Sequence, residues 1–117
     1  MTWVFSSDRP VYVQIMDHIR GAVLRGLYAP GSKIPSVRDL ATEAKVNPNT
    51  MQHALSELER EGLLTSHGTL GRSITEDPLI LQEIRNKCIR NLAEESAARF
   101  ALFGISPSEV SAILAEL

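Results

Sequence analysis

The chain has 117 residues, 44% of them hydrophobic and 22% charged, which excludes disordered and fibrous classes and allows one substantial core plus a small appendage. No apolar run approaches the roughly 20 residues that cross a bilayer, and the N-terminus lacks a signal pattern, so a cytoplasmic protein with no membrane partner is expected. A net charge of -2 excludes a broadly basic surface, and the single cysteine, Cys88, excludes an intrachain disulfide and fits a reducing compartment.

Pro10 suits the first turn of a helix, and Tyr12, Ile15, Met16, Ile19, Ala22 and Val23 follow at steps of three and four, predicting one buried stripe. That helix should end near Arg25 and Gly26, because the stretch from Gly26 to Pro35 holds two Gly and two Pro. Ser36 with Asp39 resembles a capping box, starting a second helix with Val37, Leu40, Ala41 and Ala44 on one face. It should run to about Lys45. Asn47 can cap a third helix with Pro48 at its first position, and Gly62 can terminate it. Met51, Ala54, Leu55 and Leu58 then face inward, and Asn49, Thr50, Gln52, His53, Ser56, Glu57 and Arg60 face out.

Leu63 to Ser66 and Ser73 to Thr75 read as two short strands joined by a loop from Gly68 to Arg72. Helix, helix, turn, helix and hairpin is the order of a winged helix-turn-helix, so the expected fold class is mainly α with a small β-hairpin wing. Asp77-Pro78 punctuates the chain and separates a domain over 1–77 from a helical tail over 78–117. In the tail, Leu81, Ile84, Cys88, Leu92, Ser96, Phe100 and Phe103 recur at three and four residues, predicting a long amphipathic helix from Leu79 to Phe103. Gly104 ends it. Ser106 can cap a last helix whose apolar edge is Val110, Ile113 and Leu114.

Four phrases carry a resemblance. Pro10-Val11-Tyr12-Val13-Gln14-Ile15, then Pro30-Gly31-Ser32-Lys33-Ile34-Pro35-Ser36-Val37-Arg38-Asp39-Leu40-Ala41, Val46-Asn47-Pro48-Asn49-Thr50 and Leu58-Glu59-Arg60-Glu61-Gly62-Leu63-Leu64 keep the order and spacing found in one group. Over residues 10–75 the chain resembles the GntR family of bacterial transcription regulators, and its brief tail is similar to the short YtrA-like branch. The resemblance implies a sequence-specific DNA-binding regulator in which the tail makes a homodimer. It also implies a DNA-contacting set of Ser36, Arg38, Asn47, Asn49, Thr50, Gln52, His53, Gly71 and Arg72. One departure lies in the wing: where the family reads Gly-x-Gly-Thr-Phe-Val, this chain has Thr69-Leu70-Gly71-Arg72-Ser73-Ile74.

Each candidate has a plainer alternative. Arg38, in the first turn of the second helix, can grip a guanine edge or a phosphate, or it can be a solvated arginine beside a carboxylate. Asn49 and Gln52 can pair with adenine edges and Thr50 with a phosphate or a thymine methyl, or all can form a plain polar face. Asn47 is foremost a cap. Arg72, read as the wing tip, is the candidate for the minor groove or its phosphates. His18, His53 and His67 lie in separate elements without ligand spacing, so no metal and no cofactor is expected and all three read as surface residues. Cys88 reads as a packed thiol in the stripe.

The expected partners are a palindromic double-stranded DNA operator and a second copy of the chain, contacting through Leu81, Ile84, Cys88, Leu92, Phe100 and Phe103. Repression is expected over activation, since occluding a promoter requires only binding. An unknown small-molecule effector is left open, and a tail this short encloses no pocket within one subunit. Two rival classes are a winged-helix module that binds proteins instead of DNA, and an enzyme. The first lacks an apolar surface on Asn49 to Arg60, and the second lacks any nucleophile-base pair, phosphate loop or metal set.

Overall fold

In a computed structural model describing residues 1–117, helix α1 spans Val11–Leu24 behind Pro10. Ile15, Met16, Ile19, Ala22 and Val23 are buried as their spacing predicts, whereas Tyr12 is only half-buried. Gln14 is also buried in this apolar stripe, and its amide is fully used. Its Oε1 accepts the Ser6 N–H at 2.8 Å, and its Nε2 donates to the carbonyls of Ser6 and Arg9 at 2.9 and 2.8 Å. One buried polar side chain thus ties the N-terminal segment to α1.

Helix α2, Val37–Ala44, is capped by Ser36, whose Oγ accepts the Asp39 N–H at 3.1 Å. It stops at Lys45, which takes a left-handed conformation with φ of 58°. A residue with a Cβ is strained there by about 1 kcal/mol, so Lys45→Gly is expected to raise the thermal midpoint by a few degrees. An unchanged or lower midpoint in a melting curve would contradict this. Helix α3, Pro48–Glu61, is capped by Asn47, whose Oδ1 accepts the Asn49 N–H at 2.7 Å, and Gly62 ends it at φ of 89°. Helix α3 packs on both α1 and α2, with Met51, Ala54, Leu55 and Leu58 completely buried.

Strands β1, Leu64–Ser66, and β2, Arg72–Ile74, form an antiparallel hairpin with Leu64 opposite Ile74 and Ser66 opposite Arg72. The second strand therefore begins at Arg72, one residue before the sequence expectation. A short stretch of the α1–α2 connection lies along the other side of β2. Gly31 and Ile34 donate to the carbonyls of Ile74 and Arg72 at 2.9 and 3.0 Å, and the Ile74 N–H returns to Ser32 at 2.8 Å. This stretch satisfies the outer edge of β2 and anchors the base of the wing.

Helix α4 spans Pro78–Leu102, with Asp77 Oδ1 accepting the Leu79 N–H at 2.9 Å. The chain divides into compact units Met1–Ile84 and Arg85–Leu117, a division inside α4, seven residues beyond the 77/78 boundary that the Asp77-Pro78 punctuation suggests. Ile80 approaches Gly62, and Ile84 is 5% exposed within the first unit, which removes Ile84 from the surface expected to meet a second copy. Phe103 lies beyond the helix, in the turn that Gly104 completes at φ of 67°. Helix α5, Pro107–Leu114, starts with half of a capping box: the Ser106 N–H and hydroxyl both donate to Glu109 Oε2, at 2.7 and 3.1 Å, while the Glu109 N–H goes to the Ser106 carbonyl at 3.1 Å. The Ser106 N–H and hydroxyl hold the Glu109 carboxyl below the usual carboxylate range.

Candidate nucleic-acid interface

The buried face of α3 dictates what its other face offers. Asn49, Gln52, His53, Ser56 and Arg60 are exposed, and Thr50 and Glu57 are half-buried. Gln52 Nε2 donates to Ser56 Oγ at 3.2 Å, a weak exposed bond that a base edge can replace. The His53 ring stacks on Tyr12 with centroids 4.1 Å apart and planes 21° from parallel. Its Nε2 lies 3.9 Å from Glu57 Oε1. This stack explains why Tyr12 leaves the buried stripe: its ring braces a side chain on the exposed face of α3.

On α2, Ser36 has committed its hydroxyl to the cap, while Arg38 is exposed and takes part in none of the chain's ion pairs. Asn47 is likewise committed to capping, so its side-chain oxygen is spoken for. Arg38 thus presents a cation one helix away from a face of amide and hydroxyl groups, a combination suited to one phosphate or guanine contact beside several base edges.

The wing differs from its expected form. Its tip is a 3₁₀ turn over Gly68–Leu70, with Leu70 70% exposed, and the ring of His67 bonds to Ser73 Oγ at 2.7 Å. Gly71 has φ of 92° and ψ of -154°, a backbone region essentially restricted to glycine. Arg72 is not at the tip. It is held in β2, and its Nε donates to Glu59 on α3. A cation that does approach the tip is Lys33, whose Cε lies 3.2 Å from where a Cβ on Gly71 would stand. Sequence reasoning passed over Lys33 because it lies in an irregular stretch, and only the pairing of Lys33 with Ser73 brings it to the wing.

The three histidines are dispersed, but His18 is not the plain surface residue expected. It is half-buried, its ring packs 5.2 Å from Trp3 and 5.5 Å from Phe5, and its Nε2 lies 2.9 Å from the Val4 carbonyl. It holds the N-terminal segment on α1.

The profile of the bacterial regulatory proteins of the gntR family matches residues 11–73, from the start of α1 into β2. The chain belongs to the GntR family. Among curated relatives, the regulator YhcF of Bacillus subtilis is 37% identical over 106 residues, covering 91% of this chain and 88% of YhcF. The repressor YtrA of Bacillus subtilis is 44% identical over 71 residues, 61% of this chain and 55% of YtrA. Among solved structures, a GntR family regulator from Listeria monocytogenes superposes with a TM-score of 0.87 at 31% identity, covering 97% of this chain and 99% of the other. The DNA-binding domain of AraR, solved in complex with operator ORX1, superposes with a TM-score of 0.60 at 25% identity, covering 64% of this chain and 96% of that domain.

This GntR member is therefore a winged helix-turn-helix transcription regulator that binds DNA, and its function class is regulation and not catalysis. No helix in it is long and apolar enough to cross a membrane.

Proposed function

We propose that this GntR regulator binds a palindromic operator as a homodimer in the cytoplasm and represses transcription. The observation that carries the reading is the exposed, hydrogen-bonding start of α3, set beside the unpaired Arg38 and flanked by a glycine-shaped wing. In this reading α3 enters the major groove by its N-terminal end. Asn49 and Gln52 pair with base edges, Thr50 and His53 contact the backbone or a thymine methyl, and Arg38 takes a guanine or a phosphate. Gly71 lets the wing backbone approach the duplex closely, and Ser36 and Asn47 hold the helix starts that point at it.

The second unit supports the dimer. Leu92 is 63% and Phe103 78% exposed in one chain, and Ile89, Leu102, Ile113 and Leu114 are also exposed. Such a density of exposed apolar side chains in 33 residues supports an interface with a second copy, and a twofold partner also supplies the symmetry of a palindromic site. Leu81, Cys88 and Phe100, each half-buried, complete the proposed surface. The repressor assignment is supported by the name of YtrA and by the economy of occlusion as a mechanism.

Electrophoretic shift of genomic fragments against a salt series tests this directly. Affinity for the bound fragment should fall steeply with salt while preference over random duplex survives, because phosphates supply affinity and base edges supply choice. Equal affinity for all duplexes at every salt concentration would overturn the reading.

A further inference from the structure

We infer that Arg72 acts as a positioning residue, not as a DNA contact: through Glu59 it fixes the inclination of the wing to the reading helix. This rests on the DNA-binding function proposed above.

The geometry separates Arg72 from the duplex-facing groups. The Nε of Arg72 donates to Glu59 Oε1, joining β2 to the last turns of α3, and the two side chains are 15% and 29% exposed. Glu59 stands eleven residues beyond Pro48, roughly 16 Å along α3 from the end that reads bases. With its Nε–H given to Glu59 and its side chain 15% exposed, the guanidinium is drawn toward α3 and largely screened from a duplex, although its terminal N–H groups stay unspent. The backbone of Arg72 is equally fixed, since its carbonyl accepts the Ile34 N–H at 3.0 Å and its Cα is registered opposite Ser66. A rigid strand, a rigid helix and one charged bond between them make a strut, and the tip beyond it carries only His67, Gly68, Thr69, Leu70 and Gly71.

Glu59 makes the inference decisive. A carboxylate near a phosphate backbone repels it, so on electrostatics alone removing Glu59 should strengthen DNA binding. If the pair is a strut, removing Glu59 should weaken binding, by the same amount as removing Arg72.

The test uses the full chain and an operator duplex selected from a random pool, with dissociation constants measured over a salt series. Glu59→Gln and Arg72→Gln should each weaken binding roughly 10-fold, as expected when one base-edge contact is misplaced, with the salt slope unchanged. The double variant should be no weaker than either single one, because the two remove the same interaction. The charge-exchanged chain, Glu59→Arg with Arg72→Glu, should recover most of the affinity. That chain also gives the answer should a single variant fail to melt cooperatively. Arg72→Gln lowering the salt slope by about 1 while Glu59→Gln binds as tightly as the parent, or tighter, would overturn the inference and make Arg72 a phosphate contact. Failure of the parent chain to select any duplex would instead overturn the function proposed above.

Discussion

Replacing Leu92 by Asp is expected to lower operator affinity by roughly 100- to 10,000-fold while leaving the first unit folded, the loss that follows when two linked half-site contacts become independent. Leu92 lies on α4 within the second unit and is 63% exposed in a single chain, so a carboxylate there is harmless to the monomer. In a dimer it would put an unpaired charge into an apolar interface, which costs far more than the leucine contact alone. Sedimentation should show the subunit count halved, and titration on full and half operators should show the variant binding both alike. Truncation acts in the same direction, but it must follow Ile84. A chain ending near Thr75 would strip Ile80 and Ile84 from the first unit and confuse loss of partner with loss of fold.

Replacing Leu55 by Ala is expected to destabilise the first unit by about 2 to 5 kcal/mol, the range for a leucine deleted from a closed core. Leu55 is completely buried on α3, the helix that packs against both α1 and α2, so a cavity there is enclosed by packed core that relaxes only in part. Against a typical net stability of about 5 to 15 kcal/mol, that loss would populate unfolded chains at moderate temperature. Urea unfolding should show the midpoint fall with the slope kept. A loss under about 1 kcal/mol would mean that α3 is not the keystone of this core.

Leu55 and Ile84 mark what the sequence revealed and what it concealed. Leu55 was legible because Met51, Ala54, Leu55 and Leu58 repeat with the helical period between an Asn-Pro start and a Gly stop, and local rules fix all three features. The same logic gave α1 and α2. Ile84 was misassigned because its spacing is identical to that of Leu81 and Cys88, and period alone does not say which neighbour covers a stripe. Arg72 was misplaced for a different reason. Strands of three residues carry almost no periodic signal, and the bonds that hold Arg72 come from Ile34 and Ser66, one of them far away in the chain. Lys33 and the Tyr12–His53 stack share that cause, since each exists only once distant segments have met. Of the proposed DNA-facing residues, the caps Ser36 and Asn47 and the exposed face of α3 were readable from local chemistry, whereas the shape of the wing was not.

Selecting duplexes from a random pool with the intact chain, in parallel with Gln52→Ala, tests most directly whether the start of α3 reads bases within a symmetric dimer. The parent should enrich an inverted repeat. The variant should enrich the same repeat with one symmetric pair of positions relaxed, and should bind the parent sequence more weakly by roughly 1 to 3 kcal/mol. A single unrepeated half-site from the parent would contradict the dimer, and an unchanged consensus from Gln52→Ala would contradict the reading surface.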